Sequence, residues 1–77
     1  MALIKNLEQR TLQRHAIHSA VDASYSVIEN STGSPLLQID TFGSATRKLK
    51  GKTSQSIQLG KKCAKQLVKI LTKTFDL

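Results

Sequence analysis

Residues 54–71 read SQSIQLGKKCAKQLVKIL, and a change of period inside that run decides the fold. Up to Leu59 the apolar residues alternate. Ile57 and Leu59 fall on one side and Ser54, Ser56 and Gln58 on the other, the pattern of a half-buried strand. From Gly60 onward the period becomes helical. At about 100° per residue, Cys63, Ala64, Leu67, Val68, Ile70, Leu71 and Phe75 gather within an arc of roughly 160°. Lys61, Lys62, Lys65, Lys69 and Lys73 occupy the opposite side. A strand therefore leads directly into an amphipathic helix that runs from Gly60 to about Phe75.

Working outward from this junction, the same alternation recurs upstream. Between Asp22 and Glu29, the residues Ala23, Tyr25 and Val27 share one face. Between Leu36 and Phe42, Leu37 and Ile39 point inward, and Gln38, Asp40 and Phe42 point outward. The turn-prone residues 30–34 join these two segments as a hairpin loop, with Pro35 at the first strand position, where it does not interrupt the ladder. Ile17 and Val21 extend the odd-numbered apolar set backwards, so residues 14–19 are either a further strand or the start of a long bent one. Leu3, Ile4 and Leu7 form either one turn of helix or a docking arm within residues 1–11. The expected fold is α+β, one domain spanning 1–77. An antiparallel sheet of three to four strands precedes one C-terminal amphipathic helix.

A chain of 77 residues is short for that architecture. At this size only about 60% of the unfolded surface is buried on folding, which leaves a marginal core. One Cys and no Trp leave no disulfide framework or Cys-based zinc site to staple it. One sheet and one helix leave the wide apolar arc of the helix partly uncovered. A homodimer packed helix to helix is the expected remedy. The unpaired Cys favours a reducing compartment. The apolar run before Lys5 is too short for a signal peptide, and nothing is long enough to span a membrane. The expected setting is cytoplasmic.

The net charge is +7, and it is unevenly placed. Lys5, Arg10 and Arg14 against Glu8, Asp22, Glu29 and Asp40 leave residues 1–42 at −1, whereas residues 43–77 hold nine cations against Asp76. Four of those cations, Arg47, Lys48, Lys50 and Lys52, surround Gly51 in a loop between two strands. Lys61, Lys65, Lys69 and Lys73 form a row of like charges at i, i+4 spacing, which costs a few tenths of a kcal/mol per pair. Such a distribution fits an anionic partner, most often a nucleic acid. The bland alternatives are a solvated loop and a solvated helix face.

Chemistry for catalysis is missing. There is no G-x-S-x-G, no Walker-type glycine loop and no paired carboxylate set. His15 and His18 stand on opposite faces of any strand and lack further ligands, so neither metal nor cofactor is expected. Cys63 sits on the apolar arc as a small hydrophobe. An enzyme is the poorest reading. What remains is a sheet face bearing Phe42 among uncharged donors and acceptors, bordered by cations. Single-stranded DNA or RNA suits such a surface, because bases stack on rings while cations follow phosphates. Phe42 and Tyr25 are the candidate stacking rings. Arg47, Lys48, Lys50, Lys52, Lys61 and Lys65 are the candidate phosphate contacts. Phe42 equally well packs as a hydrophobe beneath the loop. The alternative function is a small protein-interaction or regulatory module, of the kind a phage or mobile element encodes, that binds an acidic protein surface.

The order of residues 36–72 resembles the single-stranded-DNA-binding domain of the positive-cofactor-4 transcriptional coactivators. Its residues are Leu37 to Phe42, then Lys50, Gly51 and Lys52, then Ile57 to Leu59, then Leu67, Ile70 and Leu71. The resemblance implies a small dimer with a curved antiparallel sheet in each subunit and helices at the dimer contact. It also implies DNA-facing roles for Phe42, Lys50 and Lys52, with Arg47 and Lys48 beside them. This chain departs from the pattern at Ala64, where the family usually has Trp, and at Asp40, where a basic residue is expected. Its helix is also lysine-rich where the family's is often acidic.

Overall fold

A computed structural model describes residues 1–43 and 53–77. Four strands and one helix follow in order: β1 (Ala2–Ile4), β2 (Ala23–Ile28), β3 (Leu36–Phe42), β4 (Thr53–Leu59) and α1 (Lys61–Phe75). They form one sheet in the order β1-β4-β3-β2. The α+β class holds, with the helix last in the chain.

β2 and β3 pair antiparallel from Ala23↔Thr41 to Ile28↔Leu36. Their hairpin is shaped by Asn30, whose Oδ1 accepts from the Thr32 amide at 3.1 Å and from the Thr32 hydroxyl at 2.8 Å. The side chain thus substitutes for a backbone turn, as Asn does in Asx turns. β3 and β4 pair antiparallel from Leu37↔Leu59 to Thr41↔Gln55, after which the register shifts and Phe42 pairs with Thr53. That bulge leaves Ser54 without an opposite residue and adds local twist.

One strand departs from the antiparallel expectation. β1 runs parallel to β4, with Ala2↔Ile57, Leu3↔Gln58 and Ile4↔Leu59. The N-terminal segment is therefore an edge strand, not a turn of helix. It continues into a contact with α1. The Gln66 Oε1 accepts from the Leu7 amide at 3.1 Å, and its Nε2 donates to Asn6 Oδ1 at 2.9 Å. One side-chain amide thereby satisfies both a backbone and a side-chain group, as a neighbouring strand would. Residues 14–19 form no strand. Although Ile17 and Val21 continue the odd-numbered set, both are exposed, Ile17 completely. The apolar pattern there meets no second face.

The registers sort the side chains. Ala2, Ile4, Ala23, Tyr25, Val27, Leu37, Ile39, Ile57 and Leu59 share one face, the apolar one. Ser24, Ser26, Gln38, Asp40, Ser56 and Gln58 share the other, the mainly polar one, with Leu3, Ile28 and Leu36 toward its Leu59 end. The helix starts where β4 ends, and Ala64 lines a shallow apolar hollow with Val27, Leu37 and Leu59. It ends in a left-handed residue, Asp76, and the following Leu77 amide donates to the Thr72 carbonyl at 3.1 Å. This is the hydrogen-bond pattern of a Schellman cap.

Cover is scarce. Among the described residues only Leu59 and Cys63 are buried apolar side chains. Tyr25 is 74% exposed, Val27 61%, Val68 61% and Phe75 65%. The chain presents 7282 Å² to solvent, where a compact monomer of its mass presents about 4,700 Å². Segment 8–22, the open apolar face and the outer half of the helix, all exposed, contribute to that surplus.

Leu59→Ala should therefore cost about 2–4 kcal/mol of unfolding free energy, a full core penalty from a chain with little core. Gln66→Ala should cost about 1 kcal/mol and should raise the exchange rate of the Leu7 amide selectively. Denaturant titration and amide hydrogen exchange measure the two effects. Equal losses at the two sites would contradict this division of burial.

Candidate nucleic-acid interface

The polar face is organised by an amide ladder across β3 and β4. Gln38 and Gln58 are register partners. Gln58 Nε2 donates to Gln38 Oε1 at 2.8 Å. Gln38 Nε2 in turn donates to both carboxylate oxygens of Asp40, at 3.0 and 3.2 Å. The chain of bonds ends on a carboxylate acceptor. It also orients each amide, and among the described residues Gln58 Oε1 accepts no side-chain hydrogen bond.

Beside the ladder lies an open groove of about 470 Å³ lined by Gln38, Asp40, Thr53, Ser56 and Gln58 together with Met1, Ala2 and Leu3. In a regular strand Thr53 and Ser56 point to opposite faces. The shifted register at Thr41/Phe42 brings Thr53 to the polar side. Phe42 follows Gln38 and Asp40 by alternation along β3 and is half-buried. Sequence reasoning singled out Phe42 but passed over Thr53 and the first three residues. A short parallel edge strand and a bulge leave no periodic signal.

Among the described residues Asp40 is the one carboxylate lining the groove. At the Leu59 end of β4 the helix begins, with Lys61 and Lys62 in its first turn and no acidic residue there. The ammonium groups and the positive end of the helix dipole thus share one place. Lys61, Lys65, Lys69 and Lys73 are all exposed. The candidate contacts Arg47, Lys48, Lys50 and Lys52 lie outside the described residues. Their segment leaves the sheet after Phe42 and returns at Thr53, the opposite end of β4 from the helix. The seven residues of β4 separate these ends by roughly 20 Å at about 3.3 Å per residue.

Two predicted residues are not brought together. Tyr25 pairs with Ile39 and shares its apolar face, whereas Phe42 alternates with Ile39 onto the polar side. A strand lying over Phe42 does not reach Tyr25. No protein-family model, curated protein or solved structure matches the chain. Among the described residues, no helix is long and apolar enough to cross a membrane.

If the ladder orders the polar face, Gln38→Ala and Gln58→Ala should be non-additive. A double-mutant cycle read by urea unfolding should give a coupling of about 0.5–1 kcal/mol. Strict additivity would mean that the two amides do not hold each other.

Proposed function

We propose that the protein is a non-enzymatic single-stranded nucleic-acid-binding protein that acts as a homodimer. The observation that carries this reading is the separation of chemistries on one surface. A polar groove, with the half-buried Phe42 standing opposite its lining residue Thr53, lies between a lysine-rich helix start and the point where the basic 47–52 segment leaves the sheet. Phosphates would be neutralised at the two ends. Bases would lie between them, stacked on Phe42 and facing the acceptors of Asp40 and Gln58. A duplex hides its base faces and suits the groove less well. The resemblance to the positive-cofactor-4 domain points the same way. The homodimer is supported by the open apolar surfaces: Tyr25 and Val27 on the sheet, and Val68, Leu71 and Phe75 on the helix.

Fluorescence anisotropy with a labelled single strand tests the reading. The logarithm of the binding constant should fall linearly with the logarithm of salt concentration, by about 0.7 per phosphate neutralised. Replacing Lys61, Lys65, Lys69 and Lys73 together by Gln should lower that slope by up to about 3. Phe42→Ala should cost about 1–3 kcal/mol of affinity with the slope unchanged. A flat salt response, or indifference to the oligonucleotide at low salt, would contradict the function. Selective binding to an acidic protein instead would favour an interaction module.

A further inference from the structure

The exposed edge of β2 carries an inference about how the second copy joins, and it rests on the homodimer reading given above. β2 is the last strand of the sheet, and among the described residues no strand pairs with its outer side. Which backbone groups face outward follows from one bond. The Phe42 amide donates to the Asp22 carbonyl at 3.0 Å, one step beyond the Ala23↔Thr41 pair. In an antiparallel pair, a residue that bonds to its partner aims both its N–H and its C=O that way, and its neighbours aim theirs the opposite way. Asp22, Ser24, Ser26 and Ile28 thus bond toward β3. Ala23, Tyr25 and Val27 present their N–H and C=O groups to the free edge.

That edge lacks the features that keep natural edges apart. Proteins guard exposed strands with Lys, Pro, bulges or shortness. Ala23–Ile28 contains neither Lys nor Pro, and its register with β3 is unbroken. The opposite edge, β1, is three residues long and runs into Lys5. Tyr25 and Val27 also stand exposed along the same strand.

We propose that two copies join antiparallel through β2, about a two-fold axis perpendicular to the sheet at Tyr25. Tyr25 then lies opposite Tyr25 of the second copy, and Ala23 lies opposite Val27. This register satisfies every outward backbone group with residues of the strand itself. Moving the axis to Ser24 or Ser26 draws Val21 or Glu29 into the pairing instead. It also sets Asp22 opposite Ile28, so no like charges face each other directly. A second copy fits better than an unrelated peptide because the seam is self-complementary, as a two-fold contact must be. The two four-stranded sheets become continuous. Their apolar faces merge on one side, and their polar grooves align on the other, where one strand of nucleic acid can cross both copies.

The test is light scattering and far-UV circular dichroism on the full chain, with Tyr25→Pro, Tyr25→Lys and a Tyr25→Cys, Cys63→Ala double variant. Wild type is expected at twice the chain mass. Proline at position 25 removes an outward N–H that β3 does not use, so it should give a folded monomer. Should it disturb the strand, Tyr25→Lys decides, because it leaves the backbone intact and should weaken dimerisation at least tenfold. The cysteine variant should cross-link on oxidation, since directly bonded antiparallel residues stand about 5.5 Å apart at Cα, within disulfide range. Wild-type dimers that survive Tyr25→Lys and do not cross-link at position 25 would overturn the β2 seam and leave the homodimer standing. A wild-type monomer at all concentrations would overturn both.

Discussion

Among the described residues two apolar side chains are buried, Leu59 and Cys63, and the need for cover beyond those two shapes the rest of the structure. Leu59 ends β4 between register partners Ile4 and Leu37. Cys63 follows one helical turn later. Together they seal the corner where sheet becomes helix, and they fix the direction in which α1 leaves. Beyond that corner the helix carries its apolar arc away from the sheet, and Val68, Leu71 and Phe75 remain in solvent. A layered fold needs a second surface on each apolar face. This chain supplies that surface only at one end.

Because β3 lies between β2 and β4, its alternation governs both faces at once. Leu37 and Ile39 hold the apolar side. Gln38 and Asp40 hold the polar side, tied together and to Gln58 by the amide ladder. The bulge beside Phe42 turns Thr53 into the groove and ends the regular pairing at the point where the basic segment begins. Among the described residues Asp40 lies on this face, and Lys61 and Lys62 stand beyond its Leu59 end, in the first turn of the helix.

Much of this was legible in the sequence. The period of two in β2, β3 and β4 and the period of 3.6 in α1 identify four of the five elements, because each alternation is long enough to register. The Asn30 turn is readable from composition. β1 was not legible, for a physical reason: three apolar residues have no period, and parallel pairing with β4 is a contact across some fifty residues of chain that no local pattern encodes. Ile17 and Val21 misled in the other direction, continuing an apolar spacing that no neighbouring layer receives. Of the candidate site, Phe42 and the lysine row follow from spacing alone. The opposite placement of Tyr25 follows only from the register Tyr25↔Ile39, and Thr53 only from the bulge.

The proposed function and the proposed assembly meet in a single quantity, the mass of the species that a single strand would form with the protein. Native mass spectrometry of the protein mixed with a short single-stranded oligonucleotide at low salt measures it directly. The expected species is two chains with one oligonucleotide, lost as ammonium acetate concentration rises. One chain without oligonucleotide, at every concentration tried, would contradict the central claim.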